Sequence, residues 1–83
     1  PLVLLVAPPP IGPLPKEMEI FKGGEEKSRE LGHLYRFWAD ILGCHFFDAQ
    51  EVVTTSAIDG IHWDAKGNEA FAQALAQIIP KIL

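Results

Sequence analysis

The feature that most constrains this chain is a continuous run of apolar residues from Leu2 to Ala7, Leu-Val-Leu-Leu-Val-Ala. Such a run, with no alternation of apolar and polar positions, is typical of a strand covered on both faces, as in a parallel sheet beneath helices. A buried strand needs hydrogen-bonded neighbours, and a chain of 83 residues can supply few of them. The run also follows Pro1 without a polar lead-in. We therefore expect a fragment of a larger domain, with a neighbouring strand outside the chain.

The residues after this strand predict a loop, a helix and a second strand. Pro8, Pro9, Pro10 and Pro13 interrupt regular structure, so residues 8–24 are expected to form a loop. In residues 25–42 apolar side chains recur at steps of three and four, which predicts one amphipathic helix that Gly43 ends. Residues 44–48 then predict a short strand, so the β-loop-α-β order implies parallel pairing. The apolar face of this helix comprises Leu31, Leu34, Tyr35, Trp38, Ile41 and Leu42.

The C-terminal third of the chain predicts a connecting loop and a second helix. In the loop, residues 51–58, Val52 and Val53 are candidates for inward packing. The helix is expected to begin near Asp64, a favourable N-cap residue, and Pro80 should end or bend it. Its expected buried stripe comprises Gly67, Phe71, Ala74, Leu75, Ile78 and Ile82.

Charge and composition exclude several classes of function. The net charge of −4 does not favour binding to nucleic acid or to an anionic membrane surface. No run of about 18 apolar residues is present, so no membrane span is expected. The single cysteine, Cys44, which we expect to be a buried strand residue, excludes an internal disulfide. It leaves the compartment undecided, with the cytoplasm slightly favoured.

Asp59 and His62 are the side chains best suited to acid–base chemistry. They lie three residues apart on the loop between the second strand and the last helix, where ligand sites form in open α/β sheets. This spacing lets the carboxylate reach the imidazole of its own segment across a turn, and Gly60 relaxes the backbone limits on that turn. The carboxylate would then hold one tautomer of the ring and stabilise the imidazolium. A solvated loop pair without function is the alternative interpretation.

Residues 59–68, Asp-Gly-Ile-His-Trp-Asp-Ala-Lys-Gly-Asn, are followed by an Ala- and Leu-rich helix. This segment resembles the last signature block of the SGNH (GDSL-type) ester hydrolases, Asp-x-x-His with a glycine about five residues further on. Residues 2–10 resemble that family's strand before its late helix, and residues 46–49 resemble the strand before its catalytic loop. The resemblance implies that residues 1–83 are the C-terminal part of a single SGNH hydrolase domain. Its fold would be a three-layer α/β/α sandwich with a flavodoxin-like parallel sheet, whose N-terminal strands are missing from this chain.

The family's nucleophile is not found in this sequence. That family carries its serine in a Gly-Asp-Ser motif and completes its oxyanion hole with a glycine and an asparagine from two later blocks, and none of these motifs is present. Ser28 lies on the predicted helix, and we interpret Ser56 as a hydroxyl that caps the loop. Neither follows a strand in a tight glycine-flanked turn, and Asn68 lies in the last predicted helix. The chain by itself is therefore expected to be inactive.

The resemblance implies that the complete protein is a serine ester hydrolase of the carboxylesterase, arylesterase or acetylesterase type, acting on small acyl esters. His62 would be the general base and then the general acid, and Asp59 would orient it. Ile11 and Trp63 are candidate substrate-binding residues, for which packing in the core is the alternative.

The resemblance implies no metal and no organic cofactor. His33, Cys44, His45 and Asp48 also lack the paired spacing of metal ligands. The expected partners are a small-molecule ester and the serine-bearing N-terminal part of the same protein, and a homo-oligomer is left open. A non-catalytic α/β fragment with a binding or structural role is the alternative function.

Overall fold

The structure is a computed structural model and describes residues 2–83. Pro1, which the expectation of a fragment used, lies outside the described residues. The strands are β1 (Leu4–Ala7) and β2 (His45–Asp48), and the helices are α1 (Gly24–Arg29), α2 (Leu31–Leu42) and α3 (Ala65–Ile82). The two strands pair in parallel, with Leu4 opposite His45 and Ala7 opposite Asp48. The expected α/β class and its parallel pairing are confirmed.

Helices cover both faces of this sheet. Successive residues of a strand point to opposite faces, so Phe46 and Phe47 report on different layers. The guanidinium carbon of Arg36, on α2, lies 5.2 Å from the centre of the Phe46 ring. The Phe47 ring instead packs against Phe71 of α3, with 6.2 Å between the ring centres. The helices α2 and α3 therefore lie on opposite faces, which confirms the α/β/α layering.

Two local predictions about helix ends are confirmed. Gly43 ends α2 in the left-handed conformation, with φ of +72°. Asp64 precedes α3, and its side-chain oxygen accepts a hydrogen bond from the backbone amide of Gly67 at 2.8 Å. All six residues of the stripe predicted for α3 are buried or half-buried.

The continuous helix predicted over residues 25–42 is wrong, because the structure has two helices that meet at Glu30. The Glu30 amide bonds to the carbonyl of Lys27 at 3.2 Å, a spacing one residue shorter than that of an α-helix. Apolar periodicity does not detect this break, since Glu30 keeps right-handed helical torsion angles. The uninterrupted loop predicted over residues 8–24 is also wrong, because Lys16–Phe21 form a short 3-10 helix after the last proline of the loop.

Three smaller expectations need correction. Pro80 does not end α3, which continues to Ile82, because the chain beyond the proline still bonds within the helix: the Leu83 amide donates to the Ile79 carbonyl at 3.2 Å. The bend, the other effect expected of Pro80, stays a prediction. Cys44 precedes β2 and is half-buried, so it is not a buried strand residue. Val53 does pack inward and is only 2% exposed, whereas Val52 is exposed.

The buried core of the described residues is small and consists of Ala7, Ala39, Phe47, Ala49 and Val53. Ala39 is the buried residue of α2, and most of the apolar face of this helix is exposed, including Leu34 and Trp38. The amphipathic helix is present, but the two strands of this chain cover only part of its apolar face. Among the described residues, no helix combines the length and hydropathy needed to cross a bilayer.

Candidate active site

The candidate site lies on residues 52–64, which we call the Asp-His loop. This loop runs from a short 3-10 helix after β2, Ala49–Glu51, to the start of α3. Two backbone hydrogen bonds close it into a compact turn: the Ser56 amide donates to the His62 carbonyl at 2.7 Å, and the Gly60 amide donates to the Ser56 carbonyl at 2.8 Å. The Ser56 hydroxyl accepts from the Ile58 amide at 3.1 Å, so it caps the loop as predicted. The loop therefore holds its shape through its own hydrogen bonds.

Both carboxylate oxygens of Asp59 are used within this turn. Oδ1 accepts hydrogen bonds from the backbone amides of Ile61 at 2.8 Å and His62 at 2.9 Å. Oδ2 forms a hydrogen bond with Nδ1 of the His62 ring. The contact between these two side chains that the spacing predicted is present, and the backbone amides restrict the carboxylate to one orientation.

The same contacts determine the charge of Asp59. The hydrogen bond from the His62 side chain, followed by those from the amides of Ile61 and His62, lowers the pKa of Asp59 to about 2. The carboxylate is therefore ionised at neutral pH. An ionised carboxylate on Nδ1 favours the tautomer that carries its proton there, which leaves Nε2 as a proton acceptor.

The two side chains differ in their access to solvent. The Asp59 side chain is 22% exposed, whereas the His62 side chain is 79% exposed. A carboxylate that is partly sheltered and an imidazole that is open suit different tasks. Asp59 can orient the ring, and the ring can exchange a proton with a group that approaches from outside the described residues.

Gly60 lets the Asp-His loop approach residues 8–15, which we call the proline loop. Its φ is +74°, and a Cβ placed there would lie 2.6 Å from the carbonyl oxygen of Pro13. The Gly12 amide donates to the Gly60 carbonyl at 2.9 Å and to the Thr55 hydroxyl at 3.1 Å. Gly12 and Thr55 were missed in the sequence, since they lie 43 positions apart and neither belongs to a recognisable motif.

The structure places the two candidate substrate residues on either side of this contact. The Ile11 amide donates to the Ser28 hydroxyl at 2.8 Å, and its side chain lies beside Gly24 at the start of α1. The Trp63 ring packs edge-on against Phe71, with 5.0 Å between the ring centres. Both residues are half-buried. Trp63 thus contributes to packing against α3, which was its alternative interpretation.

Within residues 2–83, no group of three or more His, Cys, Asp or Glu side chains is arranged to hold a metal ion. The site that the structure does assemble is a carboxylate-oriented imidazole beyond the end of a parallel strand.

Solved structures show which family this chain is similar to. An aryl esterase from M. smegmatis matches with a TM-score of 0.92 and 40% sequence identity. A carbohydrate acetylesterase from Sinorhizobium meliloti matches with a TM-score of 0.93 and 42% identity. Another carbohydrate acetylesterase family member from that organism matches with a TM-score of 0.93 and 39% identity. Each comparison covers 100% of this chain and 40% of the other protein.

This agreement in sequence and fold places the chain in the SGNH-type esterase family, as a segment that spans about 40% of the length of those solved relatives. No protein-family model matches the chain. No curated protein sequence matches it significantly.

Proposed function

We propose that this chain supplies the Asp and the His of a Ser-His-Asp triad in an ester hydrolase that acts on small acyl esters. The serine and the oxyanion hole come from the serine-bearing N-terminal part of the same protein. The observation that carries the proposal is the Asp59 carboxylate, held by two backbone amides and hydrogen-bonded to Nδ1 of an open His62 ring.

Each group has a defined task in the proposed reaction. Nε2 of His62 accepts the proton of the serine hydroxyl as that oxygen attacks the ester carbonyl, and it later donates the proton to the departing alcohol. Asp59 holds the ring in the required tautomer and stabilises the imidazolium that forms between these two steps. Because the pKa of Asp59 is about 2, it stays ionised throughout. No step requires a metal or an organic cofactor.

Two solved relatives support a small ester as the substrate, since one is an aryl esterase and another is a carbohydrate acetylesterase. Within this chain, Ile11 and Trp63 are our candidates for one wall of the acyl pocket. Trp63 directly follows His62, and Ile11 precedes Gly12, whose amide is bonded to the Asp-His loop. Both side chains present apolar surface that suits a short acyl or aryl group.

The proposed partner, the serine-bearing part, packs on the β1 side of this chain. The sheet of the described residues has two strands, so the second edge of β1 has no strand partner among them. On α2, the Arg36 side chain lies over Phe46 of β2. Leu34 is two residues earlier, which places it about 160° away around the helix axis, on the opposite flank. That flank is apolar and exposed, with Leu34 at 50%, Trp38 at 52% and Ile41 at 56%. An open strand edge and an apolar helix flank on one side are what a further β-α unit would cover.

The test compares variants of the full-length protein in the hydrolysis of a small aryl acetate. His62→Ala should lower kcat by roughly 10⁴-fold with little change in KM, because the lost interaction belongs to the transition state. Asp59→Asn should also lower kcat, though by less. His33→Ala is the matched control, since this exposed histidine on α2 lies outside the Asp-His loop, and it should retain the wild-type rate.

The same assay separates the proposal from its alternative. The isolated 83-residue chain should show no hydrolysis, because it contributes no nucleophile. Circular dichroism of each variant excludes loss of folding as the cause of a low rate. A folded His62→Ala protein that hydrolyses the ester at the wild-type rate would instead support a non-catalytic binding or structural role.

A further inference from the structure

We propose that Thr55 is a positioning residue for His62, acting through the contact between the proline loop and the Asp-His loop. The inference rests on the proposed function, because in that function the His62 imidazole carries out the proton transfers. Thr55 does not touch the reacting atoms. Its hydroxyl accepts a hydrogen bond from the Gly12 amide at 3.1 Å. The same amide also donates to the Gly60 carbonyl at 2.9 Å.

The packing around Gly12 shows how closely this hydroxyl fits. A Cβ on Gly12 would lie 2.6 Å from Oγ1 of Thr55, so the hydroxyl occupies the space that any larger residue would need. Gly60 makes a similar approach from the other side, since its own Cβ would lie 2.6 Å from the Pro13 carbonyl oxygen. The two loops therefore meet backbone to backbone, and Thr55 supplies the side chain at the junction.

The proline loop provides a fixed surface for this junction because it is tied to α1. The Ser28 hydroxyl accepts the Ile11 amide at 2.8 Å and donates to the Glu25 carbonyl at 2.9 Å, and Ser28 is only 7% exposed. Because the buried Ser28 hydroxyl both accepts and donates a hydrogen bond, it holds Ile11, and hence the adjacent Gly12, against α1. Thr55 thus links the Asp-His loop to a part of the fold that is already anchored.

The junction is directly connected to the catalytic pair. Gly60 is the residue after Asp59, so a shift of the Gly60 carbonyl also moves the Asp59 carboxylate and the imidazole bonded to it. A displacement of about 1 Å in a catalytic group can cost on the order of 100-fold in rate. Removing the Thr55 hydroxyl leaves the Gly12 amide with the Gly60 carbonyl as its acceptor, so the imidazole should move by less than about 1 Å.

The experiment measures kcat and KM for three variants of the full-length protein. Thr55→Val keeps the shape of the side chain but removes the hydroxyl, and it should lower kcat roughly tenfold with KM nearly unchanged. Thr55→Ser keeps the hydroxyl and should restore most of the rate. Thr54→Val is the matched control, because the neighbouring Thr54 is exposed and has no side-chain hydrogen bond among the described residues, and it should leave kcat unchanged.

A second measurement tests the position of the ring without relying on turnover. The proton shared by Asp59 and His62 should give a low-field ¹H NMR signal, which should broaden or shift upfield in Thr55→Val and persist in Thr55→Ser. Gly12→Ala, which pushes on the Thr55 hydroxyl from the opposite side, should change the signal in the same way.

The outcomes distinguish this inference from the proposed function. Wild-type kcat and an unchanged proton signal in Thr55→Val would overturn the positioning role, as would equal losses in Thr55→Val and Thr55→Ser. A protein without esterase activity, or one in which His62→Ala is fully active, would refute the proposed function instead. The NMR comparison would still decide whether Thr55 positions His62.

Discussion

Substituting Gly60 by alanine tests the junction of the two loops most directly. Gly60 has φ of +74°, and an added Cβ would approach the Pro13 carbonyl oxygen to 2.6 Å. Gly43 offers a matched control, because its φ is +72° but nothing lies within 4 Å of the position of its Cβ. The two substitutions therefore share the cost of a left-handed alanine, and only the one at Gly60 adds a collision with backbone.

The expected losses of unfolding free energy follow from two costs, that of the left-handed conformation and that of the collision. A left-handed conformation costs an L-residue about 1–2 kcal/mol, which is the whole effect expected for Gly43→Ala. Forcing an extra carbon into closely packed surroundings adds about 1–3 kcal/mol. Gly60→Ala should therefore lower the free energy of unfolding by about 2–5 kcal/mol. The difference between the two variants, about 1–3 kcal/mol, isolates the contact with Pro13.

Urea denaturation of the full-length variants measures these free energies from the midpoint and slope of each transition. Gly60→Ala should also lower kcat, since the residue adjoins Asp59, whereas Gly43→Ala should leave kcat unchanged. If the two variants lost the same unfolding free energy, the close approach of Gly60 to the proline loop would be refuted. An unchanged slope in both variants is the control for altered compactness of the unfolded chain.

Two further predictions concern the packing and the charge beside the site. Val53→Ala should cost about 2 kcal/mol in unfolding free energy, because Val53 is 2% exposed and the change removes two buried carbons and leaves a cavity. The control is the exposed neighbour Val52: Val52→Ala should change the unfolding free energy by less than about 0.5 kcal/mol in the same urea titration. Because folding lowers the pKa of Asp59 from 3.8 to about 2, the ionised carboxylate favours the folded state above pH 4, and this contribution is lost as the pH falls toward 2. The stability difference between wild type and Asp59→Asn should therefore shrink between pH 4 and pH 2, and a difference independent of pH would contradict this assignment.

Structure that depends on neighbours in the chain could be predicted from the sequence alone. The Asp59–His62 contact spans three residues, and the N-cap of α3 is a bond from the Gly67 amide to the Asp64 carboxylate. The end of α2 needs only the left-handed conformation of Gly43. Each of these depends on short-range hydrogen bonding or on a single backbone preference. The α/β class and the parallel pairing follow from the order of the elements for a related reason, since a crossover helix between strands makes them parallel.

The tertiary structure decided which residues meet across the chain and which apolar side chains are covered. Periodicity assigned Leu34 and Trp38 to the apolar face of α2, but within this chain Ala39 is buried and those two are half exposed, because burial depends on the width of the neighbouring sheet. The hydrogen bond from Gly12 to Thr55 joins residues 43 positions apart, and no local pattern marks either partner. The sequence thus predicted the contact between Asp59 and His62, whereas only the packing of two distant loops determined where that pair is held.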